Sequence, residues 1–144
     1  MGITNPGEEY FKNGGWGWDG SQWCKLPLVW GYSDCYAELL TEDNAVAGNN
    51  YLAGTTVPAG EVWVVTCFSM WNANTVTLAT SGGIYDGATT ISVHSELSPA
   101  AGETVEWNGF ICLKEGDRMR ASFFTCALND NIRATFLGYK MAVA

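Results

Sequence analysis

Catalysis in this chain would have to be built from one histidine, His94, fifteen carboxylates and five cysteines. A Ser-His-Asp relay needs an imidazole oriented by a carboxylate and set beside an activated hydroxyl. No G-x-S-x-G turn supplies that hydroxyl, and His94 lies in the alternating run TTISVHSEL (89–97), where it reads as a polar residue at a strand rim. Glycoside hydrolysis needs two facing carboxyl groups. Any two of the fifteen can meet in a fold, but Glu8-Glu9 and Glu42-Asp43 read as solvated surface. Cys24, Cys35, Cys67, Cys112 and Cys126 have neither CxxC nor histidine-linked spacing, so no zinc site is expected. In KEGD (114–117) the Gly-Asp pair is a turn: Gly116 supplies the backbone angle and Asp117 caps it. One carboxylate falls short of the roughly six to eight oxygens that calcium takes. The glycine-rich GGWGWDG follows no strand and lacks a Lys-Ser/Thr pair, so it is not a phosphate loop. The expectation is a protein without catalytic residues, cofactor or metal.

Binding chemistry has better material. Three of the seven tryptophans, Trp16, Trp18 and Trp23, fall within GGWGWDGSQWCKLP (14–27), shortly after Tyr10 and Phe11. A buried strand would not carry so many glycines, which cost entropy and pack nothing. A disordered tail would not carry the indoles. An ordered loop or short strand pair is therefore expected, with its rings held against something. Indoles beside Asp19 could stack on a sugar. The competing reading, which burial statistics favour, packs them over the edge of a sandwich or into a neighbouring subunit. Tyr10, Phe11, Trp16, Trp18, Asp19 and Trp23 form the candidate set of interface anchors, because indole offers large contact area with few torsions to freeze.

These anchors must be positioned by one domain. The chain has 144 residues, 47% apolar and 13% aromatic, enough to fill a single core. Charged residues make up only 15%, against about 25% in ordinary soluble domains, so part of the exterior is expected to be covered by other subunits or a host surface. A net charge of −8 with seven cationic side chains excludes nucleic acid as a partner and disfavours anionic membranes. No run reaches the ~18 apolar residues of a membrane span. The first residues, with Glu8, Glu9 and no apolar core, do not read as a signal peptide. Three cysteines lie in apolar strand-like runs and are expected to be reduced thiols in a cytosolic folding compartment; a Cys24–Cys35 bridge is the less favoured alternative.

The elements read as strands. EVWVVTCFSMW (61–71) is apolar on both faces, as in the middle of a sandwich. TVTLAT (75–80) places Val76 and Leu78 on one face, and 89–97 does the same with Ile91, Val93 and Ser95. ETVEW and FICLK flank Asn108-Gly109, a dipeptide suited to a tight hairpin. DRMRASFFTC (117–126) alternates Met119, Ala121 and Phe123 against Arg118, Arg120 and Ser122. In 131–143 the apolar residues change from even to odd positions at Gly138, which predicts a β-bulge there. Turns are expected at VPAG (57–60), SGG (81–83), YDG (85–87), SPAAG (98–102), KEGD and LNDN (128–131). Only CYAELLTEDNAVA (35–47) offers a helical spacing, and AGNN follows it at once. The fold class predicted is all-β: a single jelly-roll-like antiparallel β-sandwich over 51–144, preceded by an irregular aromatic and Gly-rich arm over 1–50.

VPAGEVWVV, VEWNGFICLKEGDRMRASF and the closing LGYKM resemble the β-sandwich structural proteins of tailed bacteriophages over roughly residues 57 to 141, and WDGSQWCKLP resembles a D-G-x-x-W element of their N-terminal parts. The resemblance implies a capsid decoration (cement) protein, a homotrimer on the capsid exterior that clamps the major capsid protein and is assembled in the host bacterial cytoplasm. It carries no catalytic residue across. A tail or fibre appendage binding a host-surface glycan is the alternative, and a free carbohydrate-binding module a third.

Overall fold

The computed structural model describes the backbone of residues 16–18, 23–25 and 32–142, with side chains from 34 onward. Ten strands occupy it: β1 (Trp16–Trp18), β2 (Trp23–Lys25), β3 (Tyr32–Glu42), β4 (Gly48–Ala53), β5 (Glu61–Asn72), β6 (Ala79–Tyr85), β7 (Thr90–Leu97), β8 (Thr104–Leu113), β9 (Arg118–Cys126) and β10 (Ile132–Ala142). β1 and β2 form a two-stranded antiparallel pair, with Trp18 opposite Trp23. The other eight strands form two antiparallel sheets, ordered β3-β10-β5-β8 and β4-β9-β6-β7. The pairings are nested: β3 with β10, β4 with β9, β5 with β8, β6 with β7. The chain thus behaves as one long hairpin whose arms roll so that pairs alternate between the layers, which is the jelly roll.

The pattern of buried residues explains why these segments pair as they do. β9 points Met119, Ala121 and Phe123 inward, and β10 points Ile132, Ala134 and Phe136 to meet them, all at 0–1% exposure. β5 lies inside its sheet, flanked by β10 and β8. At the centre Phe68 stacks on Trp107 at 5.1 Å and meets Phe136 edge-on at 6.4 Å. The opposite sheet makes room for that ring with Gly82, where an added Cβ would lie 2.4 Å from Phe68 Cε2.

That packing corrects several expectations. SGG is not a turn: β6 runs straight through it, because Gly82 receives Phe68, and residues 75–78 are bend and loop rather than strand. Asn108-Gly109 is not a hairpin either. β8 is continuous there, and the register against β5 shifts between Val65 and Cys67, leaving Thr66 on one side and Gly109-Phe110 on the other unpaired. Gly109 is required because the Trp107 indole folds against it, 2.4 Å from a built Cβ. On β7 a register shift opposite Gly82/Gly83 leaves Val93 out of the pairing, so Ile91 (opposite Ile84) and Ser95 (opposite Ser81) do not share a face. The helical spacing over 35–47 is overridden by pairing of β3 with β10. Residues 32–53 supply two sheet strands, so the strand-rich body begins before the boundary drawn near residue 50.

At Gly138 the register of β10 against β5 does shift, between Leu137 and Gly138, but the extra residue is Thr66 of β5. The bulge pushes the β5 backbone toward Gly138, where a Cβ would stand 1.9 Å from the Val64 carbonyl oxygen. Gly116 takes a left-handed φ of +87° in the turn before β9, and Asp117 Oδ2 accepts the Lys114 amide at 3.1 Å.

Two carboxylates, half-buried Glu38 and buried Asp130, tie loops to strands. Glu38 on β3 accepts the Tyr36 hydroxyl and both the amide and hydroxyl of Thr55, joining the edges of the two sheets. Burial, and then the Glu38 acceptor, push the Tyr36 phenol far above its ordinary value. Asp130 is the second. It accepts Asn72 Nδ2 at 2.9 Å, the Ala127 amide at 2.8 Å and the Thr75 hydroxyl, while its own carbonyl receives the Ala45 amide.

Candidate functional site

Strand alternation leaves the outer face of sheet β3-β10-β5-β8 as a grid of three rows. Thr41, Arg133, Trp71 and Thr104 stand opposite one another in the first; Leu39, Thr135, Ser69 and Glu106 in the second; Ala37, Leu137, Cys67 and Asn108 in the third. Two of these twelve side chains are ionisable at neutral pH as a cation or carboxylate, and Arg133 is drawn over the Trp71 ring at 5.1 Å. Leu39 is 63% exposed and Leu137 41%, and Phe110 beside the grid reaches 78%. Two shallow depressions cross the face, one floored by Ser69, Trp71, Thr135 and Leu39, the other by Cys67, Trp107 and Leu137. An open sheet face with apolar ridges and almost no charge is suited to contact with another macromolecule rather than to chemistry on a small one.

The outer face of the other sheet is different. Alternation on β9 brings Arg118 and Arg120 out together, flanked by Tyr51 on β4 and Tyr85 on β6. The Arg120 guanidinium lies 3.9 Å from the Tyr51 ring centre and 4.7 Å from that of Tyr85, and Arg118 lies 4.9 Å from Tyr85. Sequence reading had Arg118 and Arg120 only as the polar half of an alternating strand. Their tyrosine partners come from β4 and β6, far away in the chain, and no local spacing marks them.

Of the residues expected to act as anchors, Trp16, Trp18 and Trp23 lie in the β1–β2 pair, whose side chains are outside the described residues, as are Tyr10, Phe11 and Asp19. His94 stands opposite Gly82 on the edge strand β7. Among the described residues no group of three or more His, Cys, Asp or Glu is placed to hold a metal ion. Cys67, Cys112 and Cys126 are free thiols; burial raises that of Cys126 above its ordinary value.

No protein-family model matches this chain, and no curated protein matches it. Among solved structures it is similar to a chain described as "Structure of infectious bursal disease virus Gx strain", at 10% identity and a TM-score of 0.33. The match covers 89% of this chain and 40% of that one, so this chain spans about two fifths of the other's length.

Proposed function

We propose that the chain is a virion structural protein of a tailed bacteriophage, and within that class a capsid decoration protein that binds the shell as a homo-oligomer, a trimer in the simplest arrangement. The observation that carries the reading is the nearly uncharged outer face of sheet β3-β10-β5-β8. A shell under pressure from packaged DNA is stabilised by area buried across neighbouring capsomers, and a flat, weakly charged sheet face can supply that area at low desolvation cost. The jelly-roll pairing, an architecture found in capsid proteins among other classes, and the sequence resemblance support the same assignment. Its partners are then further copies of itself and the major capsid protein. The arm carrying Trp16, Trp18 and Trp23 contributes a second anchor in this reading, and no catalytic role is assigned to any residue.

Leu39→Asp and Leu137→Asp test the face. Both residues are exposed in the single chain, so each variant is expected to melt within about 0.5 kcal/mol of the parent. A charge in the middle of an interface is expected to cost at least ~2 kcal/mol of association, roughly a thirty-fold loss. Sedimentation velocity reads the oligomer, and co-pelleting with shells of the cognate major capsid protein reads attachment. Unchanged values in both assays for both variants would refute the assignment of this face. Deleting residues 1–23 examines the arm in the same assays; a soluble β-rich body with weakened attachment is expected.

A further inference from the structure

We propose that the outer face of sheet β4-β9-β6-β7 binds a saccharide bearing a carboxylate, gripped by Arg118 and Arg120. This does not depend on where the chain sits in a particle. The protein carries a net charge of −8, yet here two of its seven cationic side chains are set side by side, and neither guanidinium has an ion-pair partner among the described residues. Among the described residues Arg118 is held by the Tyr85 ring alone. Arg120 is ordered more firmly: it lies against two tyrosine rings, and one terminal nitrogen donates to Thr90 Oγ1 at 3.2 Å. Its Nε is buried with no acceptor among the described residues and out of reach of a ligand, so an outside group would meet only the remaining guanidinium nitrogens. Two guanidiniums ordered by rings and left without an anion in so acidic a chain mark a place where an acceptor from outside completes the set.

The surroundings select the acceptor. Directly opposite Arg120 stand Ala53 and Gly83, whose small or absent side chains let its guanidinium lie against the two tyrosine rings. Planar guanidinium forks stacked on rings match a planar carboxylate by paired N–H···O bonds, whereas a lysine or a backbone nest would be the simpler device for phosphate. Beside the arginines the face offers the hydroxyls of Thr90, of exposed Tyr51, and of exposed Ser92, which is bonded at 2.7 Å to buried Ser81. Those groups both donate and accept, as the hydroxyls of a sugar require. An acidic peptide would call for a longer run of cations than the Arg118–Arg120 pair.

The test is titration of the full chain, by isothermal calorimetry and nuclear magnetic resonance at low salt, with six probes: sialyllactose, trigalacturonate, their neutral counterparts (lactose and the methyl-esterified trigalacturonate), and, as competitors, inorganic phosphate and polyglutamate. The expected result is binding of at least one carboxylated sugar with Kd below about 1 mM, at least tenfold weaker binding of its neutral counterpart, and displaced resonances at Arg120, Tyr51 and Thr90. Arg118→Gln, which gives up one ring contact and no hydrogen bond, is expected to keep the parent fold and lose roughly tenfold in affinity; Arg120→Gln is expected to lose more. The proposal is overturned if no carboxylated sugar binds, if the neutral sugars bind equally, if phosphate or polyglutamate binds more tightly, or if Arg118→Gln leaves the affinity unchanged.

Discussion

Replacing Gly138 with alanine is expected to cost about 3–5 kcal/mol, enough to leave much of the protein unfolded at 37 °C. The reason is steric and involves main chain. The new Cβ would sit 1.9 Å from the Val64 carbonyl oxygen and 2.9 Å from Val65 Cα, on the neighbouring strand at the point where Thr66 bulges. No side chain can turn away to relieve it; β10 and β5 must part, and the ladder on both sides of the shift weakens. Gly60→Ala is the matched comparison. Gly60 has φ of +79° but nothing within 4 Å of an added Cβ, so only the left-handed backbone penalty of about 1–2 kcal/mol applies. Urea denaturation of the two variants separates the cases, and equal midpoints would show that β5 and β10 can separate at the bulge without loss.

Asp130→Ala is expected to cost about 3 kcal/mol, because Asn72 Nδ2, the Thr75 hydroxyl and the Ala127 amide all lose one acceptor in a buried site. The same carboxylate gives an acid dependence. Burial is the largest single influence and favours the neutral form, but the hydrogen bonds from Thr75, Asn72 and Ala127 together outweigh it and hold the group below the usual carboxylate range. A folded-state value below the unfolded one means that the stabilisation is fully present above the unfolded value of about 4. It is lost as pH falls through the folded value. Asp130→Asn should therefore lower stability at pH 7 and flatten the fall in melting temperature below pH 4. A variant whose acid limb parallels the parent's would place that dependence on other carboxylates.

How much of this was legible in the chain follows from where period two holds. In β9 as far as Phe123 and in β10 as far as Phe136 each inward position is apolar, so Met119, Phe123, Ile132 and Phe136 could be assigned to the core from alternation alone. It failed at Gly82-Gly83 and at Asn108-Gly109, where glycine stands for the room that a Phe68 or Trp107 ring needs, and a turn and a packing hole are spelled alike. The shift at Gly138 was visible as a change of phase, but its cause, an extra residue in β5, lies about 70 positions away and leaves no mark near residue 138. The arginine–tyrosine cluster was hidden for a similar reason. Each ring comes from a different strand, and only sheet order brings them together.

Nested pairing also dictates a timetable. β3 is completed by Glu42, yet its one sheet neighbour among the described residues is β10, which starts at Ile132. On a ribosome making roughly 5–20 residues per second, β3 and the apolar β5 therefore wait several seconds for the strand that separates them. The innermost pair, β6 with β7, can close first, and the outer pairs must follow in order as later strands emerge. With most contacts distant in sequence, closure itself belongs to the slow, millisecond-to-second class. Yield in a cell is then set by what shields β5 during that wait, so slower growth, lower temperature or chaperone supply governs recovery of soluble protein more than the stability of the finished sandwich does.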